Sequence, residues 1–516
     1  MLERYFRPFE AGRGLQEQLR ENLLSAILDG AMPPSEPMPS SRKLCELLKV
    51  SRNTVVLVYE QLVQDGYLIP SDRRGYFINE KYLRQQLNVS LKPATQKIFE
   101  RSDHAPDWEA RLQSSSSRLR AIVKPRNWRE YRYPFIYGQV EADEQTAARW
   151  RDCSRIASTG AHMRSWVDDQ VMLDDPLLIE QIVQRVLPKR GISVSAQEVM
   201  VTIGTQNSLY MLARLLGRPG LVMGLEEPGY VDARNIFGLS GCELKPLRID
   251  RQGLVVNEQL ADCEMIFCTP SHQSPTGVTM PLYRRLELMA SARERDFLII
   301  EDDYENEQNF LGSNHPALKS FDDSGRVIYL GSLTKSLLPG VRLGFIAADA
   351  ELIHELRALR RYIYRHPPSN NQRTLALFLS MGHYDAHARR LRDRLARKWR
   401  VISRAIAEHL PQLNASGMAG GSSLWVSCPA DVDAWVLQRL VARRGVLIEP
   451  GDIHYLSEQR PLNCFRLGFG AIAEELIEPG IAALGEAWRE MQGAPKAPHP
   501  NPNPLPEGEG TDCGRS

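Results

Sequence analysis

Along the first eighty residues the apolar positions fall into three short helical patterns followed by two alternating runs. Leu15, Leu19, Leu23, Ile27 and Leu28 recur at helical spacing, which predicts an amphipathic helix that stops at Gly30. Ser40 is placed to cap a second helix that runs through Leu44, Leu47 and Leu48, and Lys49-Val50-Ser51 reads as a tight turn. Ser51 caps a third helix, in which Val55, Tyr59 and Leu62 face inward before Gly66 ends it. Residues 67–69 and 75–78 are short β runs on either side of Arg73-Arg74, and they predict a hairpin.

The periodicity then fades. Residues 81–127 are polar, with a serine run at 114–117, the composition of a tether whose aliphatic and aromatic side chains can dock on a neighbour. The aromatic run 131–138 marks the start of a larger domain, residues 162–175 are acidic and irregular, and the apolar pattern of 177–187 predicts a helix. Beyond it, apolar and β-branched runs at 198–202, 221–223, 265–268, 297–300 and 326–330 alternate with helices such as 283–295. Each run ends in polar or aromatic residues. The expected fold class is therefore α/β, a mostly parallel sheet covered on both faces, whose carboxyl ends converge on one pocket. Residues 493–516 are rich in proline, glycine and asparagine and are expected to be disordered. The expected division is 12–79, a tether over 80–129, a large domain over 130–492, and the tail.

Composition changes this picture little. A chain of 516 residues is too long for one ordinary core, and 43% hydrophobic with 25% charged residues is the balance of a globular protein. The 64 basic and 63 acidic residues leave a net charge of +1, so a basic surface has to be local. Eight cysteines show neither a C-x-x-C pair nor zinc-like spacing with histidine, which predicts no metal site and a reduced, cytoplasmic protein. No apolar leader and no uninterrupted apolar run of spanning length is found, so no membrane association is expected.

Two sets of side chains carry candidate chemistry. Helix, turn, helix and wing in this order place the start of the third helix, Arg52, Asn53 and Thr54, in a DNA major groove. Arg42, Arg73 and Arg74 fall where the same motif faces DNA; arginine forks match guanine edges, and hydroxyls at helix starts match phosphates. A protein-docking module is the competing reading. The second set follows the run 326–330, where Lys335 lies between Ser332 and Arg342 at a strand's carboxyl end. Such a lysine forms a Schiff base with an aldehyde cofactor, while the serine, the arginine and the amides at Gly204-Thr205-Gln206 hold its phosphate. A pyridine ring needs a carboxylate at its nitrogen, for which Asp302 is the candidate, a donor to its phenolic oxygen, Tyr304, and an aromatic partner for its face, Tyr230.

The run Met38-Pro39-Ser40-Ser41-Arg42-Lys43-Leu44, with Val50-Ser51-Arg52-Asn53-Thr54-Val55, Tyr59, Leu62 and Gly66, closely resembles the winged helix of GntR-type bacterial regulators. The resemblance implies DNA contacts at Arg42, Arg52 and Thr54, although the wing tip Asp72-Arg73-Arg74-Gly75-Tyr76 departs from the usual small residues. Thr202-Ile203-Gly204-Thr205-Gln206, Glu227-Pro228-Gly229-Tyr230, Thr269-Pro270-Ser271-His272-Gln273-Ser274-Pro275-Thr276-Gly277, Glu301-Asp302-Asp303-Tyr304 and Phe465-Arg466-Leu467-Gly468-Phe469 resemble the fold type I aminotransferases that use pyridoxal 5'-phosphate. That likeness implies a smaller C-terminal α+β subdomain and makes Arg466 the grip on a substrate α-carboxylate. Ser274 stands where those enzymes have an asparagine that bonds the cofactor's ring oxygen, which argues for weak transamination at most.

Together the two halves resemble the MocR family of transcription regulators. Membership implies a homodimer that binds promoter repeats in double-stranded DNA and senses a small amino compound that displaces Lys335 from the cofactor to form an external aldimine. Members of the family answer to γ-aminobutyrate, taurine, ectoine-derived amino acids and the cofactor itself. The alternatives are an active aminotransferase and a DNA-binding regulator with a cofactor-free, degenerate domain. The segment 174–181 departs from the family pattern, and an altered pocket mouth is expected there. The basic stretch 389–400 reads first as a solvated helix face and second as an auxiliary path for DNA.

Overall fold

The computed structural model describes residues 6, 8–10, 12–28, 32–72, 74–85, 106–112, 116–138, 143–169, 171–310, 315–416 and 420–493. Residues 86–105 and 113–115 of the expected tether and, from 494 on, the expected tail lie outside them. The chain divides into two compact units, Met1–Leu112 and Gln113–Ser516.

The first unit holds helices α1 (Leu15–Leu28), α2 (Ser41–Leu48) and α3 (Arg52–Gln64), then the antiparallel hairpin of β1 (Leu68–Ser71) and β2 (Gly75–Ile78). Leu19, Leu23 and Ile27 of α1 meet Leu44 of α2 and Val55, Val58, Tyr59 and Leu62 of α3 in one buried core. Both serines cap as expected: Ser40 Oγ accepts the Lys43 N–H at 3.2 Å and Ser51 Oγ the Thr54 N–H at 3.1 Å. Each cap contributes about 1 kcal/mol. Lys49 makes the turn between α2 and α3 in the left-handed region, at φ 53°. The Tyr59 hydroxyl donates to Pro39 O at 2.6 Å, and Met38 N donates to Tyr76 O at 2.7 Å, so the entry to α2 is tied both to α3 and to the hairpin.

The second unit opens with β3 (Tyr133–Pro134), which pairs in parallel with β14 (Val446–Leu447) from the C-terminal region. Its main sheet has the order β4-β11-β10-β9-β8-β5-β6-β7. These are β4 (Val199–Thr202), β5 (Val222–Glu227), β6 (Glu243–Asp250), β7 (Gly253–Leu254), β8 (Met265–Cys268), β9 (Leu298–Asp303), β10 (Val327–Ser332) and β11 (Gly344–Ala347). β5, β6, β8, β9 and β10 run parallel, and β11 runs antiparallel to both β10 and β4. β4 therefore shares the direction of β10, and the carboxyl ends of the parallel strands lie along one edge. Strands β4, β5, β8, β9, β10 and β11 are buried on both faces, which is why they read as continuous apolar runs rather than alternating ones, whereas β6 is largely exposed or half-buried.

Gly344, at the start of β11, lies in register with both Thr202 and Ser332. A side chain there would meet Gly331 O at 2.8 Å and Gly204 Cα at 3.2 Å, so only glycine fits. The loop between β10 and β11 is closed at its base: Leu333 N donates to Leu343 O at 3.1 Å and Leu343 N to Thr334 Oγ1 at 3.0 Å.

A smaller subdomain carries a second sheet in the order β12-β13-β16-β15, formed by β12 (Asn414–Ala415), β13 (Ser423–Ser427), β15 (Glu449–Pro450) and β16 (Cys464–Gly468), all antiparallel. It shares a core with the helices His383–His409 and Glu474–Gly493, into which Phe135 and Trp488 are buried. The two-domain α/β architecture with an α+β subdomain is thus as expected. One element differs. The helix expected over 177–187 is an α segment Pro176–Gln181, a π segment Ile182–Val186 and a 3-10 segment Leu187–Arg190. Pro188 has no N–H to donate back along the helix, so a regular ladder cannot run through it.

Candidate functional site

The carboxyl edge of the main sheet borders a cavity of about 310 Å³. Lys335, on the loop after β10, reaches into it with its side chain 29% exposed. The ammonium donates to the Tyr137 hydroxyl, stands 3.9 Å from the centre of the Tyr304 ring and 4.7 Å from that of Tyr137, and has Glu305 Oε1 at 3.9 Å. Burial lowers its pKa to about 8, against the opposing pull of Glu305 and Asp302. About a tenth of the side chain is then the free amine at pH 7, far more than for an ordinary lysine, and this is the form that attacks a carbonyl.

Strand β9 ends in three carboxylates with different uses. Glu301 accepts the N–H groups of Leu318 and Lys319 at 2.9 and 3.0 Å. Asp303 takes Arg190 Nε and the Tyr329 hydroxyl, each at 2.7 Å. Asp302, pointing the other way by the alternation of a strand, lines the cavity, and its buried Oδ1 has no hydrogen-bond partner. Burial raises its pKa to about 7, with Lys335 opposing and Asp303 adding to the rise. A buried carboxylate oxygen without a donor suits a ligand that brings a protonated nitrogen.

At another part of the wall stand Ser332, Thr205, Gln206 and Arg342. Gly204 precedes the helix Thr205–Leu216 at φ +99°, and a Cβ there would lie 3.0 Å from Arg342 Nη2. Glycine is needed for that close approach. The first amides of the helix have no intrahelical acceptor, so they and the guanidinium form a cradle for an anion. The Gln206 side chain is already engaged, donating to Asp232 Oδ2 at 3.1 Å.

Tyr230 lines the cavity with its ring 6.3 Å from that of Phe267 and its hydroxyl donating to Asp232 Oδ2 at 3.2 Å. The Tyr304 hydroxyl donates to His272 O at 2.8 Å, so in this state its proton is spent on the backbone. Arg466, in the middle of β16, is buried, and its guanidinium carbon lies 4.1 Å from the centre of the Tyr137 ring. Its Nε pairs with Glu449 Oε2 at 3.2 Å, the same oxygen that accepts the Tyr137 N–H at 2.9 Å. Ser274 also lines the cavity, with its N–H donating to Thr269 Oγ1 at 2.9 Å. A carboxylate for a ring nitrogen, a lysine of lowered pKa and an anion cradle in one cavity fit a phosphorylated pyridine aldehyde.

In the first unit, Arg42, Arg52, Asn53 and Arg74 are exposed and Thr54 is half-buried. Arg52 Nε donates to Ser41 Oγ at 3.3 Å, which joins the starts of α2 and α3 on one face. The Thr54 hydroxyl shares a 2.8 Å hydrogen bond with Ser51, and Arg42 lies 3.5 Å from Glu46 with its side chain 86% exposed. Arg74 stacks over Phe77 on the hairpin at 5.2 Å, and Arg73 lies outside the described residues.

Residues 15–78 match the gntR family of bacterial regulatory proteins, and residues 173–484 match the family of class I and II aminotransferases. The HTH-type transcriptional regulator TauR of Rhodobacter capsulatus is 39% identical over 481 residues, covering 93% of this chain and 97% of that one. The chain belongs to the MocR family of transcription regulators. The probable rhizopine catabolism regulatory protein MocR of Rhizobium meliloti is 29% identical over 490 residues, covering 94% and 96%. Among solved structures, the kynurenine aminotransferase of Pyrococcus horikoshii superposes with a TM-score of 0.67 at 23% identity over 76% of this chain and 98% of that one, which establishes the fold.

Within this MocR-type regulator, the altered segment 174–181 does not line the cavity, contrary to expectation. Its acids are structural. Asp174 is buried against Arg360 at 2.6 Å and Arg357 at 3.3 Å, and Asp175 caps the helix Pro176–Gln181 and pairs with Arg373 at 2.8 Å. The basic stretch 389–400 is partly absorbed by the fold: Arg390 pairs with Asp143 at 3.2 Å, Arg397 with Glu474 at 3.2 Å, and Lys398 is buried with its ammonium on Gly470 O at 3.2 Å. Residues absent from the sequence reading of the pocket are Tyr137, Lys124, Glu305 and Glu449. Tyr137 lay in the aromatic run that marks the domain's start, but its place beside Lys335 depends on the pairing of β3 with β14, three hundred residues apart. Among the described residues no helix is long and apolar enough to cross a membrane.

Proposed function

We propose that this regulator binds pyridoxal 5'-phosphate in the cavity around Lys335, senses a small amino compound there, and converts its presence into altered promoter binding by the winged helix. The observation that carries the reading is the orphaned Oδ1 of Asp302, buried in the same cavity as Lys335 and the Arg342 cradle. Asp302 would hold the ring nitrogen, Tyr230 the ring face, and Ser332, Thr205, Gln206 and Arg342 the phosphate. When bound, the cofactor supplies an aldehyde carbon that amines capture reversibly. Lys335 provides the resident amine, Tyr304 lies under it as a proton donor to the ring oxygen once its bond to His272 O is released, and Arg466 grips the acid group of the effector.

Residues 12–79 are the DNA-binding domain, with Arg42, Arg52, Asn53, Thr54, Arg73 and Arg74 toward the double helix; 80–129 are the tether and 130–492 the sensing domain. A homodimer is supported by an apolar surface on the second unit. Val167 is 61% exposed, Leu173 60% and Tyr362 83%, and the pairing of Asp169 with Arg365 brings these segments side by side. The seven described cysteines are free thiols, which suits a cytoplasmic protein.

The test is operator binding by the native and Lys335→Ala proteins with a panel containing γ-aminobutyrate, taurine and ectoine-derived amino acids. The variant is expected to bind the operator within twofold of native and to lose every effector response. Turnover of an amino donor and a keto acceptor at enzyme-like rates, with no sequence-specific DNA binding, would replace this reading with that of an aminotransferase.

A further inference from the structure

The last part of the expected tether is not free of the second unit. Arg120 Nη2 pairs with Asp452 Oδ2 at 2.8 Å, and Arg120 O accepts Asn235 Nδ2 at 2.8 Å. Two residues further on, Ile122 lines the cavity, and so does Lys124. The Lys124 ammonium donates to Tyr137 O and stands 6.0 Å from the centre of the Tyr137 ring. That ring already has the Arg466 guanidinium 4.1 Å from its centre and the Lys335 ammonium at 4.7 Å, so three cations gather round one aromatic side chain.

Their compensation is uneven. Glu305 is the acid nearest Lys335, at 3.9 Å, and Glu449 Oε2 is shared by Arg466 Nε and the Tyr137 N–H. Lys124 has a backbone carbonyl as its partner and receives only the field of Glu449, which Arg466 opposes; burial lowers its pKa. A desolvated ammonium that borders a cavity next to a guanidinium is short of an anion.

We infer that Lys124 is a second cation for the acid group of the effector, acting with Arg466, so that the tether to the DNA-binding unit forms part of the effector's own binding site. This rests on the sensing function proposed above and extends it. Arg466 offers a planar fork and Lys124 a point charge, and an oxo-acid held between them satisfies both. The class of ligand is an amine with a carboxylate or sulfonate a few bonds away. Binding draws Lys124 from Tyr137 O toward the ligand and fixes residues 116–126 on the domain, which gives the tether a direct register of occupancy.

The experiment uses full-length protein loaded with pyridoxal 5'-phosphate and follows the visible absorption during titration with β-alanine, taurine and propylamine. The first two share a chain length and differ in carboxylate against sulfonate, and the third has no acid group. Lys124→Met is expected to weaken the acid-bearing amines at least tenfold, to leave propylamine within twofold and to leave the unliganded spectrum unchanged, and Lys124→Arg to restore most of the loss. Whichever of β-alanine and taurine loses more identifies the preferred acid. Hydrogen exchange across 116–126 should slow on ligand binding in the parent and not in Lys124→Met. Equal affinities of Lys124→Met and parent for both acids, with Arg466→Met impaired, would overturn the assignment of Lys124 alone. A parent that gives no spectral response to any amine would overturn the sensing reading with it.

Discussion

The two candidate sites are built on opposite principles. On the first unit the candidate DNA-facing side chains Arg42, Arg52, Asn53 and Arg74 are exposed, with Thr54 half-buried, and come from one stretch, α2 to β2, set on a core that they do not enter. Around Lys335 most are buried or half-buried, with Gln206 and Arg342 exposed at the rim, and they come from the ends of β4, β5, β8, β9 and β10, from the middle of β16 and from the tether. Charges on the first surface stay in water. In the pocket Lys335 and Asp302 are desolvated, and their charges shift toward neutrality. A substitution on the first therefore changes binding alone, whereas one in the second changes binding and stability together.

The widest separation between the two is expected from Arg190→Met. It removes the partner of Asp303 at 2.7 Å and leaves a buried carboxylate unpaired, at a cost of about 3–5 kcal/mol. Thermal unfolding of the second unit should fall steeply; a change under 1 kcal/mol would show that this unit tolerates a lost buried charge pair as a surface does. Next comes Asp302→Asn in cofactor-free protein. The carboxyl ionises near 3.8 when unfolded and near 7 when folded, so the folded state holds its proton more tightly. Stability from this group is present below pH 4 and is lost as pH rises to 7. The parent should lose about 2 kcal/mol relative to the variant between pH 5 and pH 8, read from denaturant unfolding at each pH. A constant difference would mean that Asp302 is not the titrating group.

On the DNA side, Arg52→Ala is expected to weaken specific operator binding by about 1–3 kcal/mol and to reduce its salt dependence. The visible absorption of bound cofactor should not change, and a change there would break the independence of the two sites. The smallest effect is expected from Ser51→Ala, which removes the cap of α3 and lowers stability of the first unit by about 1 kcal/mol. Circular dichroism of a fragment ending at residue 85 would detect it.

The same contrast governs what could be read in advance. The helix caps Ser40 and Ser51, the inward set Val55, Tyr59 and Leu62 and the hairpin all follow from spacing within a dozen residues. So do the apolar strands and the polar residues at their ends. The partners inside the pocket do not. That Glu301 and Asp303 are bound by the fold while Asp302 is left facing the cavity depends on Leu318, Arg190 and Tyr329, which only folding brings near. That Tyr137 reaches Lys335 depends on a strand pairing across the length of the domain. The acids at 174–175, which looked like a change at the pocket mouth, form buried ion pairs, those of Asp174 on the backbone of the edge strand β4, because sequence gives nearness along the chain and not partners brought together by folding.

The loop that carries both Lys335 and Arg342 is stitched at its neck, where Leu333 and Leu343 meet and Gly344 lies level with Ser332 and Thr202. A loop drawn shut in this way has few independent motions, and it behaves as a rigid bracket with a hook at each end. Whatever sets the arginine hook also sets the reach of the lysine. In the proposed function, holding an anion and presenting an amine would thereby be geared to each other by backbone alone.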